Sequence, residues 1–93
     1  MLNDNTRLIR SDEVLEAELD DEAVLLHVES GRYFEVNVTG KRIWSLLSRE
    51  TDPATILSSL VSGAERLKDE ERKQVISYLE TLVGLDLARA IPT

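Results

Sequence analysis

The sequence predicts an α+β domain in which three short antiparallel strands precede three short helices. Three observations point to it. Apolar residues up to Asn37 fall in short runs rich in branched aliphatics, interrupted by Asp20-Asp21 and Ser30-Gly31. After Thr39 the apolar residues recur at helical spacing, and Asp52-Pro53 and Asp69-Glu70-Glu71 read as helix starts. The 93 residues suit one domain with one core, and no repeat, low-complexity tract or Pro/Gly/Ser linker divides them. We therefore expect a single domain over residues 1–93, its core running from about 7 to 88, with Met1–Thr6 and Arg89–Thr93 dispensable.

The first strand is expected over Glu13–Leu19, where Val14, Leu15, Ala17 and Leu19 alternate imperfectly with glutamates before the Asp20-Asp21 turn. Ala23–Val28 and Arg32–Asn37 then form a hairpin about Ser30-Gly31. A two-residue loop there pairs Glu29 with Arg32, Val28 with Tyr33, His27 with Phe34, Leu26 with Glu35 and Leu25 with Val36. It also points the N–H groups of Tyr33, Glu35 and Asn37 away from the partner strand. One face of the hairpin carries Val24, Leu26, Val28 and Tyr33, the other Ala23, Leu25, Phe34 and Val36. Both are apolar, so the sheet is either covered on two sides or keeps part of one face for docking.

Thr39 is the expected cap of a first helix bearing Ile43, Trp44, Leu46 and Leu47. Asp52 caps a second, with Pro53 at its first position, Ile56, Leu57, Leu60 and Val61 on one stripe, and Gly63 at its end. The third opens with three acids at the positive end of its dipole and carries Val75, Ile76, Leu79, Leu82 and Val83, with Tyr78 at the border of that face. This element order suggests a winged helix-turn-helix-like arrangement.

Composition narrows the function. A hydrophobic fraction of 42% with 31% charged residues is that of a folded chain, not a disordered one. The net charge of -7 repels nucleic acid and anionic membranes and favours neutral or basic partners. Asp52–Ala64 holds no lysine or arginine, and Arg72 and Lys73 on the third helix are outnumbered by Asp69, Glu70, Glu71 and Glu80. With no cysteine and His27 as the sole histidine, no nucleophile has a plausible activating base beyond that strand residue, and no metal-ligand spacing exists. Four dispersed glycines make no phosphate loop, and Asp20-Asp21-Glu22 reads as a solvated turn. We expect a non-enzyme without metal or cofactor. The polar run from Leu2 to Arg10 and the lack of a long apolar stretch make the cytoplasm the default location. What remains is Arg32–Asn37, an edge strand if strand order follows the chain, where a peptide can add a strand and Tyr33 and Phe34 can line side-chain pockets.

The run Gly31-Arg32-Tyr33-Phe34-Glu35-Val36-Asn37-Val38-Thr39-Gly40-Lys41-Arg42-Ile43-Trp44 resembles the signature of PqqD-like proteins, a G-x-Y-Y/F-x-L-N strand leading through T-G to a helix with I-W. Val24-Leu25-Leu26 resembles that family's second strand, and Val75 to Leu87 its third helix and exit, so the likeness spans roughly Arg7–Ala88. Val38 stands where many relatives carry proline, and Asp86 where many carry glycine. The resemblance implies a recognition element for ribosomally synthesised, modified peptides (RiPPs), which holds the leader of a precursor peptide between the third strand and third helix. Carried over by position, the peptide-binding residues are Arg32, Tyr33, Phe34, Glu35, Val36 and Asn37, faced by Val75, Tyr78, Leu79 and Leu82. The G-R-Y-F-x-V-N form looks most like the discrete leader-binding proteins of lasso peptide pathways, whose partners are a leader peptidase and a cyclase. Relatives also serve pyrroloquinoline quinone and sactipeptide pathways. A winged-helix DNA-binding regulator and an unrelated interaction subunit stay open as alternatives.

Overall fold

A computed structural model of the chain describes residues 2–61 and 68–91. In chain order the elements are β1 (Arg7–Arg10), β2 (Val14–Leu19), β3 (Glu22–His27), β4 (Arg32–Val36), α1 (Val38–Leu46), α2 (Pro53–Ser59), α3 (Asp69–Gly84) and β5 (Ala88–Ile91). The expected three strands and three helices are all present, and β2, β3 and β4 form an antiparallel sheet in that order. Gly63, the expected end of α2, lies outside the described residues.

The β3–β4 hairpin has a longer loop than expected. His27 pairs with Arg32, Leu26 with Tyr33, Leu25 with Phe34, Val24 with Glu35 and Ala23 with Val36, so the register is displaced by two residues from that of a two-residue loop. The reason is local. The Gly31 N–H donates to the His27 carbonyl at 2.8 Å, closing a one-turn coil over Val28–Gly31, and glycine accepts the φ of +71° that ends it. Because side chains alternate with a period of two, a two-residue displacement leaves each on its expected face. Ala23, Leu25, His27 and Val36 are buried and Phe34 is half-buried, so this is the covered face.

On β2 only Val14 is half-buried as a residue. Leu15, Ala17 and Leu19 are exposed, while Glu16 turns inward and accepts a hydrogen bond from Trp44 Nε1 at 3.1 Å. Arg10 stands over the same indole, 5.1 Å from the ring centroid, and 3.6 Å from Glu16. The glutamate satisfies the one polar atom of a tryptophan that is 2% exposed.

Two elements go beyond the expected set. β1 and β5 pair antiparallel, Arg7 opposite Ile91 and Arg10 opposite Ala88. The other side of β1 is tied to the helices, through N–H donation from Leu8 to the Thr51 carbonyl at 2.7 Å and from Arg10 to the Leu47 carbonyl at 3.0 Å. Leu8, Leu87 and Ala88 are buried in the common core. Arg89–Ile91 is therefore part of the fold, which corrects the expectation that the chain after Ala88 is dispensable.

At α1 the cap is Asn37, not Thr39. The Asn37 side chain accepts from the Gly40 N–H at 2.9 Å and its carbonyl accepts from the Lys41 N–H at 2.8 Å. Val38 thereby occupies the first helical position, one that proline favours because its N–H has no intrahelical partner, so valine there leaves the helix intact. At α2 the Asp52 carboxylate accepts from the Thr55 N–H at 2.8 Å and Pro53 follows. That bond holds the Asp52 carboxyl below its usual range. α3 ends in a Schellman motif, in which Leu87 N–H donates to the Leu82 carbonyl and Asp86 N–H to the Val83 carbonyl. Asp86 sits at its left-handed position with φ = +61°, which accounts for the glycine of many relatives there. Leu25, Ile43, Trp44, Leu47, Ile56, Leu79 and Leu87 fill the core where sheet and helices meet.

Candidate functional site

Among the described residues, β4 has a hydrogen-bonding partner on one side only. Which of its donors are free follows from the neighbouring ladder. Val28 N–H donates to the Glu13 carbonyl at 2.8 Å, so alternation sends the N–H groups of Leu26 and Val24 to β2 and those of His27, Leu25 and Ala23 to β4. The pairs His27/Arg32, Leu25/Phe34 and Ala23/Val36 then exchange the ladder bonds, and the N–H groups of Tyr33 and Glu35 point off the sheet. These are two of the three donors expected to be free, and they survive the register displacement because it spans two residues. Asn37, the third, turns away into the α1 cap.

A cavity lies at each end of β4. At the Asn37 end, a space of about 450 Å³ opens between the first turn of α1 and the first half of α3, bounded by Asn37, Gly40, Arg42, Gln74, Val75 and Tyr78 among others. Gly40 leaves room for the Tyr78 ring there. A Cβ at that position would come within 2.6 Å of the Tyr78 hydroxyl and 3.3 Å of Val36 Cβ. Burial pushes the Tyr78 phenol pKa up, so at neutral pH it carries its proton and can donate. At the Arg32 end, a space of about 390 Å³ lies between the hairpin and the exit of α3, lined by His27, Arg32, Phe34, Gly84, Leu85 and Asp86 among others. The Arg32 guanidinium stands 5.4 Å from the Phe34 ring centroid.

His27 belongs to the wall of that second cavity. Its Nδ1 accepts from the Ser30 N–H at 3.3 Å, which leaves Nε2–H to face Asp86 Oδ2 at 3.3 Å. Both ring nitrogens are thus engaged in holding the hairpin loop against the end of α3, as a structural histidine would be.

The sequence-derived residues divide sharply. Arg32, Phe34 and Val36 face the helices, and Tyr33 and Glu35 face outward, Tyr33 with 71% of its surface exposed. From α3, Tyr78 is half-buried and Val75 reaches the first cavity, while Leu79 and Leu82, at 1% and 3% exposed, are core residues that line neither. Gln74, Leu85, Gly40 and Asp86 line the cavities without having been named as peptide-binding residues. Gln74 was legible in principle, lying one helical turn before Tyr78. Among the described residues no group of three or more His, Cys, Asp or Glu is placed to hold a metal ion. No described helix is long and apolar enough to cross a membrane.

Comparison with known proteins adds the following. The model of the family described as coenzyme PQQ synthesis protein D (PqqD) matches residues 22–88. No curated protein matches the sequence. Among solved structures, TbiB1 in complex with the TbiA(beta) leader peptide is 30% identical with a TM-score of 0.77, covering 91% of this chain and 99% of that one. Lasso peptide synthetase B1 complexed with the leader peptide is 25% identical with a TM-score of 0.72, covering 91% of this chain and 98% of that one.

Proposed function

This chain belongs to the PqqD family, and from that membership we propose that it is a RiPP recognition element which binds the leader segment of a ribosomally made precursor peptide. The observation that carries the reading is the free edge of β4, with the N–H groups of Tyr33 and Glu35 unpaired and a cavity at either end. The two similar structures, each holding a leader peptide, support it. The leader adds as a fourth strand beside β4, taking affinity from main-chain bonds along Arg32–Asn37 and specificity from the two cavities. Phe34, Val75 and Tyr78 contact its inward side chains, and Val36, Leu79 and Leu82 hold those contacts in place from the core. The pathway we assign is lasso peptide biosynthesis. The chain contributes no bond-breaking chemistry, since its histidine is committed to the hairpin loop. Cleavage and ring closure belong to a leader peptidase and a cyclase, and binding raises the local concentration of precursor at the peptidase.

Glu35→Pro tests the reading. Proline there removes one outward N–H and spares the bonds to β3, and edge strands tolerate it. We expect circular dichroism to show a retained fold and fluorescence anisotropy with labelled leader to show binding weakened at least tenfold. Phe34→Pro should instead unfold the hairpin, because it removes a ladder bond. Undiminished leader binding by a folded Glu35→Pro protein would rule out strand addition at this edge.

A further inference from the structure

The cavity at the Arg32 end of β4 carries charge that the fold leaves unmatched. In a two-residue hairpin Glu29 and Arg32 would face each other, but the longer loop sets Arg32 opposite His27 and leaves Glu29 in the coil. Arg32 instead stands over the Phe34 ring, 5.4 Å from its centroid. Asp86 joins the cavity from the exit of α3, its side chain 67% exposed, with His27 Nε2 at 3.3 Å from Oδ2. Among the described residues Glu29 and Arg32 have no ion-pair partner, and Oδ1 of Asp86 accepts no hydrogen bond. His27 accepts at Nδ1 and brings no charge. Two carboxylates against one guanidinium leave this lining with a net charge of -1.

What fits such a cavity follows from its two zones. Phe34 and Leu85, both half-buried, supply an apolar wall, and Glu29 and Asp86, both exposed, stand at the rim. A strand added beside β4 alternates its side chains, so one inward side chain arrives beside Arg32 and Phe34. An acidic one would meet both carboxylates. An aliphatic one would strip water from them and return nothing. A lysine or arginine lays its stem on the apolar wall and keeps its cation among the carboxylates, as long basic side chains do at the edge of apolar surface. Arg32 opposes that cation, two acids attract it, and the charge of -7 over the chain draws a basic peptide toward the whole molecule.

We propose that Asp86, together with Glu29, makes the cavity at the Arg32 end of β4 selective for a lysine or arginine side chain of the leader. This rests on the leader-binding function assigned above and names the chemistry that one of its two cavities reads. It also gives the aspartate at φ = +61° a use that glycine could not supply.

The test uses the full chain and the fluorescein-labelled leader of its cognate precursor. Asp86→Asn keeps an oxygen for His27 Nε2–H and a residue type that accepts positive φ, so with Glu29→Gln it removes charge and little else. This double variant should melt within a few degrees of the parent. Fluorescence anisotropy in 50 mM sodium chloride should show leader affinity lowered at least fivefold, the loss falling below twofold in 500 mM. Asp21→Asn/Glu22→Gln removes the same charge about 17 Å away along β3 and should bind within twofold of the parent. Changing the leader's lysines and arginines to glutamine one at a time should find a position whose loss costs the parent at least fivefold and the double variant less than twofold. Equal affinity of parent and double variant, an equal loss in the Asp21/Glu22 variant, or no leader position coupled to the two acids overturns the proposal. Tighter binding by the double variant also overturns it, in favour of an acid held by Arg32. No leader binding by the parent overturns the leader-binding function along with it, whereas leader binding without the coupling overturns the charge selection alone.

Discussion

At Asp86 two demands on one residue pull apart. The Schellman motif requires a left-handed backbone there, φ = +61°, which costs an L-residue roughly 1 kcal/mol relative to glycine. The carboxylate in return faces Nε2 of a histidine that is 5% exposed. Replacing it by alanine loses the acceptor and keeps the strain, whereas glycine loses the acceptor and relieves it. Asp86→Ala should therefore be less stable than Asp86→Gly by about 1 kcal/mol, some 4 to 8 °C in melting temperature for a domain of this size. Calorimetry of the two variants side by side checks it, and equal melting temperatures would mean that the backbone relaxes out of the left-handed region. His27 was assigned a structural place on a strand from sequence, but Asp86 as its partner was not legible, because the two lie 59 residues apart. Trp44 was legible as a core residue, while the Glu16 that satisfies its indole was read only as one of the glutamates alternating with apolar residues on the first strand.

At the scale of elements, what could be read from the sequence was what repeats locally. Asp52-Pro53 and Asp69-Glu70-Glu71 each carry the chemistry of a helix start within four residues, and both helices begin there. β4 emerged because Ser30-Gly31 sets its aromatic and branched run off from β3 as a hairpin. β1 and β5 did not, since Arg7–Arg10 and Ala88–Ile91 are four residues each, too short for alternation to register, and their pairing is a contact between the chain's two ends. The helix side of the cleft failed for another reason. α3 has one apolar stripe, and the sequence alone does not separate the residues that fill the core from those at its margin, so Leu79 and Leu82 were assigned to the cleft although they fill the core, and Tyr78 stands at the border. The β1–β5 pair carries a testable consequence. Truncation after Ala88 removes the partner of Arg7, Leu8 and Ile9 and should lower the melting temperature by at least 5 °C, with Leu8, at 0% exposure, uncovered. A truncated protein that melts with the parent would show that β1 is held by Leu47 and Thr51 alone.

Across the whole molecule, 18 acidic residues against 11 basic ones leave a charge that the fold does little to neutralise. Most ion pairs among the described residues are at the surface, such as Arg7 with Glu50 at 2.9 Å, and each contributes little. Self-repulsion should therefore dominate the response to salt. The melting temperature should rise between 10 mM and 150 mM sodium chloride, as the screening length falls from about 30 Å to about 8 Å. A fall over that range in scanning calorimetry would mean that attractive pairs outweigh the excess of carboxylates.

The union of β1 with β5 bears on how such a domain can be wired to other proteins. Arg7 and Ile91 face each other across one antiparallel step, which sets the start of β1 and the end of β5 within about 5 Å. A body with adjoining ends can be spliced into a surface loop of a larger enzyme as a cassette, without prising apart the loop's two stems. The same adjacency allows a short glycine linker from Ile91 back to Arg7, with new ends opened in the exposed turn at Ser48–Glu50, to give a circular permutant whose peptide-receiving edge is untouched.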